Sequence, residues 1–268
     1  MPHRLAPTFR DRLAAADHVL VGAWICSGSP VVAEIMAGAG FDWLMIDREH
    51  APNGLEAVQL QLQAIAPYPV TTMVRIEADD PVVIKRVLDL GAQNLLVPMV
   101  STPEQAQQVA RAAQYPPVGI RGVGSALARS GRWTHVENYL EEAARHVSVF
   151  VQIETVEAVE NAAAIAAVEG IDGVLVGPSD LAATMGLLGQ QDRPEVMAQV
   201  KRAFAGVLAA AKPVGVNAFN PQVARDYIAA GASFVLVGAD VIALAGAATT
   251  LAATFSGGRP GASSAPER

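Results

Sequence analysis

Residues 38–50 read GAGFDWLMIDREH. Gly40 is placed to end a helix, and the largely apolar run Phe41–Ile46 that follows predicts a short buried strand, Asp42–Ile46. Two carboxylates, an arginine and an imidazole then follow in the next four residues. Because charged groups are rare in protein interiors unless they are paired, this stretch is either a solvated loop with an incidental salt bridge or the end of a strand that carries chemistry.

The same alternation of strand and helix recurs along the whole chain. Short runs rich in Val, Ile and Leu predict eight strands: Val19–Ile25, Asp42–Ile46, Val70–Ile76, Asn94–Val97, Val147–Ile153, Gly173–Val176, Val214–Asn217 and Phe234–Val237. Helices are predicted between them: Pro30–Ala39, Leu55–Ala66, Pro81–Leu90, Pro103–Ala113, Val156–Ala167, Pro194–Ala211 and Pro221–Ala230. Eight such units favour an α/β fold of the (β/α)8 TIM barrel type over a doubly wound open sheet, which would use fewer strands.

The domain organisation follows from the same pattern. Residues 1–255 are predicted to form a single barrel domain. The tail from Ser256 to Arg268 is rich in Gly, Ser and Pro and is predicted to be disordered. The segment Tyr115–His135, rich in Gly and Arg, interrupts the alternation, and we expect it to form a long loop over the barrel mouth.

Composition excludes several classes of protein. The net charge of −7 and the lack of a basic cluster argue against a nucleic-acid partner. No apolar run reaches the roughly 20 residues of a membrane helix, and no signal peptide is recognisable, so we expect a cytoplasmic protein with no membrane partner. The single cysteine, Cys26, excludes a disulfide within the chain and a thiolate zinc site. Because only 17% of the residues are charged, we expect other subunits to cover part of the surface.

The unusual polar residues cluster at predicted strand ends. In barrel enzymes the carboxyl ends of the strands carry the catalytic groups. The residues at these ends are Trp24, Asp47, Glu49, His50, Arg75, Gln152, Glu154, Ser179, Asp180, Asn217 and Asp240. The pattern therefore predicts one convergent site at the barrel mouth.

Glu154 and Asp180 are the candidate metal ligands. Two carboxylates from adjacent strands, with no Cys and one nearby His, suit a hard divalent cation such as Mg2+ or Mn2+. Each residue could instead begin or cap a helix. Gln152 can face the same pocket as Glu154, because residues two apart on a strand share a face.

Arg75 and His50 are the candidate catalytic groups. A guanidinium inside a barrel needs an anion, which is either a substrate oxygen or a structural partner, Asp47 or Glu49. His50 is the best candidate for a general base, with Asp47 able to orient its ring, unless it is a satisfied loop histidine. None of the three lysines lies at a strand end, so a Schiff base is not expected. The polar set favours metal-stabilised enolate chemistry on a small keto acid.

Several motifs resemble those of the class II, metal-dependent pyruvate aldolases. The resemblance covers nearly the whole chain up to the tail. The matching motifs are Gly38–Trp43, Ile46–Pro52, Leu95–Val100, Tyr115–Pro117 with Gly119–Gly122, Val151–Thr155 and Val176–Leu181. The resemblance implies a barrel with an exchanged last helix, a homo-hexamer and a divalent metal (Mg2+, Mn2+ or Co2+). It also implies cleavage of a 4-hydroxy-2-oxo acid to pyruvate and an aldehyde.

The resemblance also implies roles for individual residues. Glu154 and Asp180 match the metal ligands, Arg75 the group at the pyruvate C2 oxygen, and His50 with Asp47 the dyad that handles the C4 hydroxyl proton. The remaining matches are Glu49 near metal-bound water, Gln152 and Trp24 in the substrate site, amides near Ser179 at the pyruvate carboxylate, and Asp89 reaching a neighbouring subunit's site.

One residue departs from the family pattern. Arg48 stands where the family commonly has glycine, and it could alter aldehyde preference or point to solvent. The competing functions are a 2-keto-3-deoxy-sugar-acid aldolase acting on L-rhamnonate derivatives, and a CoA-ester lyase, for which no CoA-binding surface is visible. A barrel kept only for assembly would be expected to lack an acidic ligand, and both are present.

Overall fold

A computed structural model describes residues 4–256, so the predicted tail from residue 257 onward lies outside the described residues. Eight parallel strands close into a barrel in chain order. They are β1 (Leu20–Ile25), β2 (Trp43–Asp47), β3 (Thr71–Arg75), β4 (Asn94–Val97), β5 (Ser148–Ile153), β6 (Gly173–Val176), β7 (Val214–Asn217) and β8 (Phe234–Ala239). The predicted (β/α)8 barrel is confirmed, and each predicted strand end lies within two residues of the observed one.

Helices surround the barrel. They are α1 (Phe9–Ala15), α2 (Pro30–Ala37), α3 (Leu55–Ile65), α4 (Pro81–Asp89), α5 (Pro103–Ala113), α6 (Tyr139–Glu142), α7 (Val156–Glu160), α8 (Ala162–Ala166), α9 (Pro178–Thr184), α10 (Pro194–Ala209), α11 (Pro221–Ala229) and α12 (Asp240–Phe255). The helix predicted over 156–167 is two helices, because the backbone of Asn161 leaves helical geometry. No helix within residues 4–256 is long and apolar enough to cross a membrane.

Aromatic side chains fill the amino-terminal end of the barrel. Phe9, from α1, inserts into this end with its ring centroid 4.9 Å from that of Trp43, 5.4 Å from that of Phe150 and 5.3 Å from that of Phe234. Each of the other three rings lies over a glycine that is its in-register partner on a neighbouring strand. The pairs are Trp43 with Gly22, Phe150 with Gly173 and Phe234 with Gly215.

Those glycines are required by space. A β-carbon at Gly22 would lie 2.5 Å from the Trp43 ring, and one at Gly215 would lie 2.3 Å from the Phe234 ring. Real β-carbons do not approach other atoms so closely. The large rings on three strands therefore fit only because the facing residues on the neighbouring strands are glycines, which have no side chain. The barrel floor is thereby closed, and open space is left at the opposite, carboxyl-terminal end.

The segment 114–147 lies at the amino-terminal end of the barrel, so the prediction that it covers the mouth is wrong. Within it, Nη1 of Arg129 donates a hydrogen bond to the carbonyl of Leu90, which follows α4, at 3.0 Å. The physical reason is topological: the segment leads from helix α5 to strand β5, and such connections begin at the amino-terminal end of the strands. Its composition of Gly and Arg carried no information about which end it occupies.

Helix α12 has an apolar surface that nothing in the described chain covers. Its exposed side chains include Ile242, Leu244, Leu251 and Phe255. It contacts β1, β8 and α2, and every residue of the helix after Asp240 is exposed. An exposed apolar surface of this kind is typical of an interface with another chain.

Candidate active site

The barrel mouth holds a cavity of about 350 Å³. The predicted site residues that line it are Trp24, Asp47, His50, Arg75, Gln152, Ser179 and Asp180. Asn217, predicted at this mouth as a strand-end residue but without a role, also lines it. The other main lining residues, which were not predicted from the sequence, are Cys26, Phe219, Val241 and Ile242. The structure thus brings most of the predicted set together in one pocket.

Arg75 is the most constrained of these side chains. Its Nε and Nη2 bond to the two carboxylate oxygens of Asp47, each at 2.9 Å, and its Nη1 lies 2.9 Å from Glu49 Oε2. Its guanidinium carbon also lies 4.2 Å from the ring centroid of Trp24, a cation–π contact. The Trp24 ring is itself fixed, because its Nε1 donates to Asn217 at 2.8 Å. The guanidinium is therefore held rigidly, and the structural pairing weighed from sequence is present.

His50 lies beside Glu49 rather than Asp47. Its imidazole is 65% exposed, and its Nε2 lies 3.7 Å from Glu49 Oε2. Asp47 is directed to Arg75 and also accepts from the backbone N–H of Glu49 at 3.0 Å. In the described structure the predicted Asp47–His50 hydrogen bond is absent. The catalytic roles of both residues stay predictions.

Burial raises the pKa of Glu49, and the carboxylates of Asp47 and Asp180 raise this pKa further. The positive charge of Arg75 and the imidazole of His50 act in the opposite direction. Glu49 is therefore a partly desolvated acid between a fixed cation and a histidine. When ionised, such a carboxylate can orient the His50 ring and stabilise a positive charge on it.

Glu154 is buried at the base of the mouth. Its Oε1 accepts from the backbone N–H of Met99 at 2.7 Å, and its Oε2 accepts from Nε2 of Gln152 at 2.5 Å. Burial raises the pKa of Glu154 to about 7, and the negative charges of Glu49 and Asp180 contribute to that rise. Met99 adopts a left-handed backbone with φ of 57°, which is uncommon for a residue with a side chain. The strained residue presents its N–H to the carboxylate.

Gly177 makes the approach of these groups possible. A β-carbon at this position would lie 2.7 Å from both Gln152 Nε2 and Glu154 Oε2. The glycine is thus required by the close packing of the acid against the start of helix α9. The sequence shows a glycine between strand β6 and Pro178. It does not show that this glycine packs against Gln152 and Glu154.

The donor set fits a divalent cation. No group of three or more His, Cys, Asp or Glu side chains within residues 4–256 is arranged to hold a metal by itself. Glu154 and Asp180 supply two carboxylates, which leaves positions for water and substrate oxygens. The charges of Glu49, Glu154 and Asp180 disfavour one another, and a cation between them would relieve this repulsion.

Asp89 and Arg121 lie away from this mouth. Asp89 is the last residue of α4, toward the amino-terminal end of the barrel, and it bonds to the buried Arg121 at 2.8 Å. Arg121 is also stacked against the Tyr115 ring, with its guanidinium carbon 4.5 Å from the centroid. Within its own chain, Asp89 therefore contributes nothing to the site.

Arg48 does not line the cavity. Its largely buried guanidinium pairs with the partly exposed Glu77 at 3.0 Å, and its Nε donates to the backbone carbonyl of Asn53 at 3.1 Å. The Asn53 side chain, in turn, bonds to the carbonyl of Asp47 and to the buried amide of Gln61. Arg48 thus ties the loop that carries Glu49 and His50 to the neighbouring loop after β3.

The chain is similar to several known proteins over most of its length. A 4-hydroxy-2-oxo-heptane-1,7-dioate aldolase from Salmonella heidelberg is 50% identical to this chain over 92% of its length and 94% of the relative. An enzyme of the same name from Escherichia coli is 51% identical over 88% of this chain and 90% of the relative. The crystal structure of an HpcH/HpaI aldolase/citrate lyase family protein from Burkholderia cenocepacia is 38% identical, covers 92% of this chain and 98% of that one, and gives a TM-score of 0.88. The family model described as HpcH/HpaI aldolase/citrate lyase matches residues 20–247, and the chain therefore belongs to the HpcH/HpaI aldolase/citrate lyase family.

Proposed function

We propose that this protein is an aldolase that cleaves 4-hydroxy-2-oxo acids, such as 4-hydroxy-2-oxoheptane-1,7-dioate, reversibly to pyruvate and an aldehyde. The observation that carries the proposal is the convergence at one mouth of a clamped arginine, Arg75, with an exposed imidazole, His50, and two carboxylates, Glu154 and Asp180. Relatives named for this activity, with about half of their residues identical over most of the chain, support the substrate class.

Glu154 and Asp180 are the residues that would hold a divalent cation, Mg2+, Mn2+ or Co2+, which when bound acts as a Lewis acid toward the keto acid. Gln152 donates to Glu154 and fixes the position of that carboxylate. Ser179 lines the cavity at the start of α9, and in this proposal its backbone N–H binds the substrate carboxylate. Arg75, fixed by Asp47 and Glu49, sets a positive charge opposite the C2 oxygen.

His50 performs the proton transfer in this proposal. Its ring accepts the C4 hydroxyl proton, and the electrons of that O–H bond form the aldehyde carbonyl. The C3–C4 bond breaks, and its electron pair passes into the pyruvate enolate, whose negative oxygen is stabilised by Arg75. Protonation at C3 then gives pyruvate. Glu49, beside His50, stabilises the charged ring that forms.

The assembly is part of the same proposal. The exposed apolar surface of α12 supports an exchange of this helix between subunits of a homo-hexamer. Asp89 with Arg121 would then approach the mouth of a neighbouring subunit. Replacing Leu244 and Leu251 by Asp is expected to lower the mass in solution, measured by analytical ultracentrifugation. An unchanged mass would contradict the exchange.

A pyruvate-release assay over a panel of 4-hydroxy-2-oxo acids tests the proposed function. The panel includes 4-hydroxy-2-oxoheptane-1,7-dioate and 2-keto-3-deoxy-L-rhamnonate, each with EDTA and with added Mg2+, Mn2+ or Co2+. We expect cleavage of the dioate that EDTA abolishes and a metal restores. Preference for the sugar acid would identify the alternative aldolase, cleavage insensitive to EDTA would exclude the metal, and no pyruvate from any member would refute the proposal.

A further inference from the structure

A second cavity, of about 400 Å³, lies at the amino-terminal end of the barrel, opposite the mouth. Its walls come from residues 4–7, helix α1, the start of β3 and the turn around Arg129. Four of the residues that line it are arginines: Arg4, Arg12, Arg129 and Arg132. None of its described lining residues is acidic, although the chain as a whole has a net charge of −7.

Two of these arginines converge at the floor of the cavity. Nη1 of Arg132 and Nη1 of Arg129 lie 2.7 and 2.8 Å from the position that a β-carbon on Gly91 would take. Gly91 has φ of +89°, so the position favours glycine for its backbone as well as for its space. The hydrogen bonds that both guanidiniums make go to carbonyls, those of Leu90 and Arg129.

This environment differs from that of the other partly or fully buried arginines. Within residues 4–256 there are four others, and each has a carboxylate partner: Arg10 with Asp172, Arg48 with Glu77, Arg75 with Asp47 and Arg121 with Asp89. Arg129 and Arg132 have none in the described structure. Burial and the charge of Arg132 together lower the pKa of Arg129 to about 10. Two half-buried like charges without a counter-ion are unfavourable.

We infer that this cavity is a binding site for a small phosphate-bearing dianion. A guanidinium pairs with phosphate through two parallel N–H groups, and one phosphate dianion neutralises both floor arginines, whereas a single carboxylate leaves one charge. The exposed Arg4 and Arg12 at the rim add attraction for a further phosphate or substituent. The hydrogen bond from Arg129 to the carbonyl of Leu90 caps the carboxyl end of helix α4 and gives Arg129 a structural role. It does not explain why Arg132, a second arginine, lies beside Arg129.

The test is calorimetric titration of the full-length protein with inorganic phosphate, pyrophosphate and succinate in a phosphate-free buffer. We expect phosphate and pyrophosphate to bind, and Arg132→Gln to weaken binding by about tenfold or more. Arg12→Gln should weaken pyrophosphate binding by a smaller factor. This exposed residue has one long bond, to Pro69, so its replacement leaves the fold intact. Arg225→Gln, an exposed arginine on α11, is the control and should bind as the wild type does.

Several outcomes would overturn the inference. One is unchanged phosphate and pyrophosphate affinity in both Arg132→Gln and Arg12→Gln. A second is loss of phosphate binding in Arg75→Gln with retention in Arg132→Gln, because the anion would then lie in the mouth. Tighter binding of succinate than of phosphate would reject the ligand class. None of these results depends on aldolase activity, so the inference and the proposed function fail independently.

Discussion

Asp47 and Arg75 are in-register partners on strands β2 and β3, and their side chains form a two-pronged salt bridge with both contacts at 2.9 Å. Both side chains are nearly inaccessible to solvent. The pair fixes the guanidinium before any substrate arrives. It also occupies the Asp47 carboxylate, which leaves Glu49 as the carboxylate next to His50.

Removal of the Asp47 carboxylate is expected to destabilise the protein. In Asp47→Ala, Arg75 keeps only Glu49 as an anionic partner, and breaking a buried pair from one side costs about 3 kcal/mol or more. Asp47→Asn keeps the oxygen that accepts from Arg75 Nε, so its loss should be smaller. Urea unfolding measures both, with the exposed Asp192→Ala as the control. Equal stability of Asp47→Ala and the wild type would contradict the pairing argument.

His50→Gln should lower kcat for pyruvate release by about 10²- to 10⁴-fold, the usual contribution of a general base. Because His50 is largely exposed and makes one weak ion pair, folding and metal affinity should be retained. His18→Gln is the matched control, since His18 is an exposed histidine that pairs with Asp17 and Asp42, away from the mouth. Normal turnover in His50→Gln would remove the imidazole from the mechanism.

The fold could be predicted from the sequence because the strand signal is local. Each strand is a short apolar run between breakers, and eight of them in alternation with helices favour a barrel over an open sheet. The aromatic floor could not be predicted, because the match of Gly22 to Trp43 or of Gly215 to Phe234 depends on register between strands. Register is a long-range property, and apolar runs do not encode it visibly.

The membership of the site was more predictable than its contacts. Topology sends strand ends to one mouth, so Arg75 and Asp180 were found by position. The partner of His50 depends on side-chain directions within one loop, which the sequence does not show. Asp47 forms a salt bridge with Arg75 instead of pairing with His50. Met99 was missed because its contribution is a backbone N–H, which every residue type except proline offers.

Arg48→Gly, which restores the residue common in the family, should leave the choice of aldehyde unchanged. The side chain faces Glu77 and the carbonyl of Asn53, not the cavity. The expected effect is a loss of about 1 kcal/mol in unfolding free energy, because the pair is partly exposed. Glu77→Gln should cost a similar amount, and the double variant should cost less than the sum. A changed ratio of kcat/KM between two aldehydes in the synthetic direction would contradict this assignment.

The stability of the metal-free protein should fall as pH rises from about 4.5 to 7. The pKa of Glu154 is raised from 4.5 to about 7, so the folded state retains this proton to higher pH than the unfolded chain does. The stabilisation is complete below pH 4.5 and is lost as pH rises through about 7, with a total of roughly 3 kcal/mol. Urea unfolding of EDTA-treated wild type and Glu154→Gln measures the difference. Parallel pH curves for the two proteins would show that Glu154 has an ordinary pKa.

Gly177→Ala should weaken metal binding because the new methyl group collides with Gln152 and Glu154, and not because of backbone strain. The φ of Gly177 is −100°, a value that any residue adopts, so the backbone is not strained by the change. The new β-carbon would meet Gln152 Nε2 and Glu154 Oε2 at 2.7 Å, and the carboxylate must move. Disturbing groups that orient a metal ligand typically costs 10- to 100-fold in affinity, which titration with Mn2+ would measure.

Gly238→Ala is the control, because no atom lies within 4 Å of its β-carbon position. Both variants should keep the circular dichroism spectrum of the barrel. Unchanged Mn2+ affinity in a folded Gly177→Ala protein would mean that Glu154 is not a ligand, because its carboxylate cannot keep its place beside that methyl group.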